Sequence, residues 1–261
     1  MNCINKKKFL IKNLFYIYFT LILSFSSLYG ATRGDVKVIE SSENIRYLSQ
    51  KLVKEYLLLY KYPKNMEIKN SLEGTLEKLN NNFKVIAKIT KNSETKDMLD
   101  FLAYSKDKIV EIFEKKLSEE NCALMLDYSE ILIEGVNSIE KIHAYKFSKE
   151  EQLLMLSKKM EYLIERINKH YMAIHLKLDS VVNKQAMNDA IIDFEKILQK
   201  INKLNSSKDK MILKLLHYSW QKNKILFKKT ETIFVPNLMG LSLNSLENIV
   251  SELTFFYSKN Q

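Results

Sequence analysis

The sequence predicts an all-α fold of up-and-down helical bundles, two four-helix units in tandem, and three observations carry that reading. In 261 residues there are only 5 Gly and 2 Pro, too few breakers for the many tight turns of a β-sandwich. Apolar residues recur at three- and four-residue steps along most of the chain, the period of a helix with one buried face. Segments far apart in the chain also match one another at a fixed separation, as an internal repeat does. The length is ample for one large core or two smaller ones.

Residues 1–30 read as an export leader rather than as part of the fold. Lys6, Lys7, Lys8 and Lys12 make a basic start, Leu14 to Phe25 an apolar run, and Ser26-Ser27-Leu28-Tyr29-Gly30-Ala31 a small-residue exit. That is the layout of a secretory signal peptide cleaved after Gly30. The alternative is an uncleaved anchor in the inner membrane, with Phe9 to Leu28 spanning while Lys12 snorkels. A span takes ~20 residues, so the shorter apolar run favours cleavage. Either way the body of the protein is expected outside the cytoplasm, in the periplasm. Cys3 falls in the leader and leaves Cys122 as the one thiol of the body. One thiol makes no internal disulfide, so the core must hold the fold. Beside Ala123, Leu124 and Leu126, Cys122 reads as a small buried apolar residue. Without the four leader lysines the chain has 37 basic residues (41 − 4) against 31 acidic, a charge of +6 (37 − 31). This mild excess forms no basic stripe with aromatic context, so no nucleic-acid partner is expected.

The body divides into helices with short joints. The first runs from about Val36 to Tyr62 and is stopped by Pro63. The second begins near Met66, with a seam of Leu72, Leu76, Leu79, Phe83 and Ile86, and Asn80-Asn81-Asn82 stays within its period. The third opens at Ser93 as N-cap and carries Leu99, Leu102, Ile109 and Phe113. The fourth extends from about Glu119 through Leu126, Ile133, Val136 and Ile139 to Tyr145. Ser148-Lys149-Glu150-Glu151 has the form of a capping box. It opens a long helix with Leu153, Leu156, Met160, Leu163 and Ile167, continuing past His175 to Leu178 and breaking at Asp179-Ser180. Ile191, Phe194, Leu198, Ile201 and Leu204 mark the next stripe, and Asn205-Ser206-Ser207-Lys208-Asp209 a capped turn. Met211, Leu215, Tyr218, Ile225 and Phe227 are the expected stripe of the seventh helix. After Pro236-Asn237, Leu238 to Tyr257 is the last. Its end, Leu253-Thr254-Phe255-Phe256-Tyr257, is apolar enough either to dock on the bundle or to recruit a partner.

Two registers relate the halves. Leu48-Ser49-x-Lys51 matches Leu156-Ser157-x-Lys159 at 108 residues (156 − 48). Later anchors match at 114: Tyr104-Ser105 with Tyr218-Ser219, Phe113 with Phe227, Leu124-Met125 with Leu238-Met239, and Val136 with Val250. The drift is read as residues added between the first and third helices of the second half, in keeping with its longer first helix. The units are expected at 36–146 and 148–258.

The sequence offers no catalytic or metal signature. His143, His170, His175 and His217 are scattered, and His170 and His175, five apart, do not share a helix face. There is no His-Glu-x-x-His, Cys pair, calcium loop or clustered glycine, and no nucleophile elbow. Glu119-Glu120 and Glu150-Glu151 fall at helix starts, where capping and the helix dipole account for them. No enzyme, metal or cofactor is expected.

The most informative stretch is Arg46-Tyr47-Leu48-Ser49-Gln50-Lys51-Leu52-Val53-Lys54. Ile45, Leu48 and Leu52 put one face of this helix in the core, while Arg46, Ser49 and Gln50 add polar donors within about one turn. It resembles the Arg-Met-Leu-Ser-Gln-Arg-Met-Ala-Lys signature of the PilJ-type domain, the N-terminal periplasmic module of type IV pilus methyl-accepting chemotaxis transducers. That module is related to the sensor domains of NarX- and NarQ-like nitrate sensors. Met155-Leu156-Ser157-Lys158-Lys159-Met160 is similar to a degraded second copy.

The resemblance implies a sensory helical bundle in which two copies of the first helix meet across a dimer, each giving one Arg to nitrate. On this chain Arg46 would be the ligand-binding group, with Ser49 and Gln50 as supporting donors. Ser157, Lys158 and Lys159 would be the degenerate counterpart in the second unit. At 108 residues Leu154 stands where a second Arg would fall, and Glu43 adds an acid near Arg46. The expected partners are a small, nitrate-like anion and a separate membrane sensor or transducer, with a homodimer as one arrangement. The alternative is a structural or interaction bundle with no small ligand, Arg46 pairing with Glu43 or Glu55.

Overall fold

A computed structural model describes residues 33–143, 145–204, 209–229 and 235–259. The leader, with its anchor alternative, and the Asn205–Lys208 part of the expected turn lie outside the described residues. Eight helices and no strand are formed by the described residues. The first unit holds α1 Arg33–Lys61, α2 Met66–Ile89, α3 Ser93–Phe113 and α4 Glu119–Ile142. The second holds α5 Lys149–His175, α6 Ser180–Leu204, α7 Lys210–Lys229 and α8 Pro236–Ser258. None of the described helices is long and apolar enough to cross a membrane.

Local chemistry sets the helix ends. Asn65 caps α2 by accepting from Ile68 N at 3.1 Å, and Ser118 caps α4 by accepting from Asn121 N at 3.1 Å. The cap of α3 is Asn92 rather than Ser93, because the Asn92 carboxamide reaches Thr95 N at 2.9 Å. Ser148 and Glu151 complete a reciprocal capping box at α5. That helix stops at His175, short of the expected Leu178. Lys177 turns left-handed at φ 61°, Leu178 N bonds back to Ala173 O at 3.0 Å, and the Leu178 side chain is buried. This closure caps the last carbonyls and pins the exit with an apolar contact.

Within each unit the first helix packs along the second and the fourth, and the third packs on the fourth. The units join where α1 lies against α5. These two helices run parallel: Lys158 donates to Asn44 Oδ1 at 3.1 Å, and further along Arg166 donates to Gln50 Oε1 at 3.4 Å. One continuous core fills both units, from Ile45, Leu52, Leu79, Leu102 and Val136 to Met160, Phe194, Leu216, Trp220 and Val250. Each such side chain contributes roughly 1.5–3 kcal/mol. Cys122 is free and buried in it.

Corresponding helix ends of the two units lie 114 to 117 residues apart. Lys61 and His175 end the first helices, 114 residues apart (175 − 61), and Met66 and Ser180 begin the second helices at the same spacing (180 − 66). The Leu-Ser-x-Lys match at 108 is shorter than any of these spacings.

The face of α7 also differs from its expected stripe. Met211, Leu215, Tyr218 and Ile225 are exposed, while Leu213, Leu216, Trp220 and Phe227 are buried. Apolar residues occupy two phases of this helix, and the aromatic phase wins because Trp220 stacks on Phe194 at 4.0 Å between ring centroids. At the chain end, Leu253 and Tyr257 are buried and the Tyr257 hydroxyl donates to Asp209. The apolar terminus is docked on the bundle.

Candidate functional site at the seam of the two units

Arg46 points from α1 into the seam, and its guanidinium is almost wholly enclosed by protein acceptors. Nη1 lies 2.5 Å from Glu43 Oε1 and 3.1 Å from Glu140 Oε1. Nη2 lies 2.8 Å from Glu140 Oε2 and 2.6 Å from Asn137 Oδ1. Glu140 and Asn137 thus accept three hydrogen bonds from the guanidinium, and Glu43 adds an ion pair. The Tyr162 ring of α5 lies beneath, 5.9 Å from Arg46 Cζ. Beside this group is a cavity of about 300 Å³ bounded by α1, α4, α5 and α6. Arg46 and Lys159 line it, and so does Arg166 of α5.

Arg166 was not singled out by sequence. It donates to both oxygens of Glu130 at 2.8 and 2.9 Å. The sequence signal was scarcity: the chain has only three arginines, at 33, 46 and 166, and arginine is suited to planar, two-pronged contacts. Two of the three converge on one cavity.

The other expected site residues bond to neighbouring protein groups. Ser49 is buried and donates to Arg46 O at 2.9 Å, as Ser157 does to Leu154 O at 2.8 Å. Gln50 donates to Ser49 Oγ at 3.3 Å and accepts from Arg166. Lys158 is engaged by Asn44.

The seam is unusually charged for a bundle interior. Burial first, then the charge of Glu43, pushes the Glu140 carboxyl above the usual carboxylate range, while Arg46 pulls the other way. Glu130 sits at the opposite extreme: burial would raise it, but Lys169 and Arg166 hold it down at about 2. Lys169 is fully buried, 2.6 Å from Glu130 and 3.1 Å from Ser129 Oγ, and burial lowers its ammonium to about 8. One turn earlier, Lys54 and Glu165 form a buried ion pair at 2.7 Å. Burial alone would lower Lys54, but Glu165 leaves it above its ordinary value.

A second polar cluster ties the helix ends together. His143 Nδ1 lies 2.7 Å from Asp35 Oδ1, and His143 Nε2 lies 2.8 Å from Thr95 Oγ1. The connectivity is that of a nucleophile triad, yet Thr95 is fully buried. The cluster clasps α1, α3 and the end of α4. Among the described residues no group of His, Cys, Asp and Glu is placed to hold a metal ion.

Compared with protein-family models, curated proteins and solved structures, the chain matches none significantly.

Proposed function

We propose that the protein is an exported, non-catalytic, ligand-binding helical bundle of the sensory type, with the seam cavity as its site and a separate membrane protein as its output. What carries the reading is that Arg46 and Arg166, one from each unit's first helix, line the same polar cavity. The likeness of the Arg46 stretch to the PilJ-type signature supports it. In that family two first helices meet across a dimer, and here α1 and α5 meet within one chain, so the site needs no second copy.

The lining constrains how a small anion enters. Glu43, Glu130, Glu140, Asp189 and Asp193 stand against Arg46, Arg166 and Lys159, so an added anion meets net negative charge. A nitrate-like ligand binds by exchange, taking the place of the Glu140 carboxylate, whose side chain is partly open to water. That exchange releases α4 from α1 and couples occupancy to packing. Each charge-assisted hydrogen bond contributes about 1.5–3 kcal/mol, so affinity is weak. Thermal shift with nitrate, nitrite and small carboxylates at millimolar concentration tests the reading. Stabilisation of the wild type that is lost in Arg46→Ala and Arg166→Ala supports it. No stabilisation, or an equal shift in both variants, removes it.

A second reading, a structural or interaction bundle with no small ligand, is favoured by the protein partners of the Arg46 guanidinium. It expects no ligand shift at all.

A further inference from the structure

The outer helices α3 and α7 occupy equivalent places in the two units, and each leaves an apolar stripe in water. On α3, Phe101 and Tyr104 are 55% and 61% exposed. On α7, Met211, Leu215, Tyr218 and Ile225 are 48–87% exposed. The stripes correspond position for position at 114 residues: Phe101 with Leu215, Tyr104 with Tyr218 and Lys108 with Lys222. In both, the lysine lies over the tyrosine ring, at 5.4 Å on α3 and 4.3 Å on α7. Met211, Leu215, Tyr218, Lys222 and Ile225 alternate by four and three residues, the spacing that fits one helix along another.

The charges flanking the stripes are opposite. Around the α3 stripe the exposed charged residues are Glu94, Lys96, Asp97, Asp100, Asp107 and Glu111, five acids to one base. Lys106 and Lys108, half-buried, pair with Asp107 and Glu111. Helix α7 contains six lysines and no acid, with Lys210, Lys214, Lys222 and Lys228 exposed. Pairing α7 with another α7 sets lysine against lysine, and pairing α3 with α3 sets acid against acid. An anionic lipid surface suits α7 but repels α3 and leaves its stripe uncovered. Only α3 against α7 covers both stripes with favourable charge.

We infer that the α3 face of one copy of this chain docks on the α7 face of a second copy, a head-to-tail contact between the two unit types. The contact does not depend on what the seam cavity holds. Because its two sides differ, it repeats into a ring or an open chain of copies rather than closing as a symmetric pair.

Sedimentation velocity of the full chain tests this, at about 20 mM and about 500 mM salt, since exposed charges are screened within a few ångströms at the higher value. Two variants each carry one broken face: Asp100→Lys with Tyr104→Ser, and Tyr218→Ser with Lys222→Glu. All four positions are at the surface, and a thermal melt checks that each variant folds. Wild type is expected to self-associate in a concentration-dependent way, more strongly at low salt. Each variant alone is expected to run as a monomer, and an equimolar mixture as a 1:1 dimer and nothing larger. A monomeric wild type overturns the inference, as does a variant that self-associates like wild type or a mixture that stays monomeric. Wild type that is monomeric but pellets with phosphatidylglycerol vesicles through α7 overturns it in favour of a lipid surface.

Discussion

Glu140 grips the Arg46 guanidinium with both carboxylate oxygens, at 3.1 Å to Nη1 and 2.8 Å to Nη2, while Glu43 holds the same group from the other side. Two carboxylates thus share one cation, and the Glu140 carboxyl is raised above its ordinary 4.5 by burial and by Glu43. A raised acid contributes stability below its unfolded value and loses it as pH rises through the folded one. Glu140→Gln mimics the protonated form and leaves Glu43 paired with Arg46. The variant is therefore expected to melt no lower than wild type at pH 7, and to lose the part of the pH dependence lying just above 4.5. If nitrate binds by exchange, its thermal shift should also grow in this variant. Melting temperatures across pH 4–8, with and without nitrate, check both.

Ten residues earlier on the same helix, Glu130 has the opposite sign. Held at about 2 against an ordinary 4.5, it contributes stability above 4.5 that is lost as pH falls toward 2. Glu130→Gln should flatten that acid limb. It also leaves the buried ammonium of Lys169 without a counter-charge, a destabilisation at neutral pH that stays below the roughly 3–5 kcal/mol of a fully buried pair because Glu130 is partly open to water. Glu130→Gln combined with Lys169→Met should recover much of the loss. Urea denaturation of the single and double variants measures the difference, and a single variant as stable as wild type would show that Lys169 finds another partner.

Most of the fold was legible because breakers and caps are local signals. Pro63, Ser148 and Pro236 each stand at a helix boundary. Faces were less legible where two apolar phases compete, as on α7, since the choice depends on Phe194 of another helix. The 108-residue match is harder to place, because Leu-rich helices agree at many registers and the helix ends themselves lie 114 to 117 residues apart. At the seam, Arg46 stood out within its signature. Its partners Asn137 and Glu140 lie more than ninety residues away on α4, where no local pattern points back to it.

The glycines of the bundle separate into opposite cases. A Cβ on Gly135 would stand 2.7 Å from Leu102 Cγ in the core of the first unit, whereas Gly74 and Gly240 have open space. Gly135→Ala forces Leu102 aside and is expected to cost about 1–3 kcal/mol. Gly74→Ala, inside an exposed stretch of α2, should add about 0.5–1 kcal/mol by limiting the unfolded chain. Chemical denaturation of both variants decides, and equal effects would mean that α3 and α4 are not this closely packed.

The chain end tests whether α8 closes the second unit. Leu253 and Tyr257 are buried, and Tyr257 donates to the buried Asp209 at the start of α7. Removing residues 253–261 strips two core side chains, each worth roughly 1.5–3 kcal/mol, and orphans a buried carboxylate. A loss of about 3–6 kcal/mol is expected from the burial terms alone. Phe255, on the exposed side of the same turn, supplies the control: Phe255→Ser should stay within about 0.5 kcal/mol of wild type. If the truncated chain melts like wild type, the segment is not docked, and its apolar residues are left for a partner to cover.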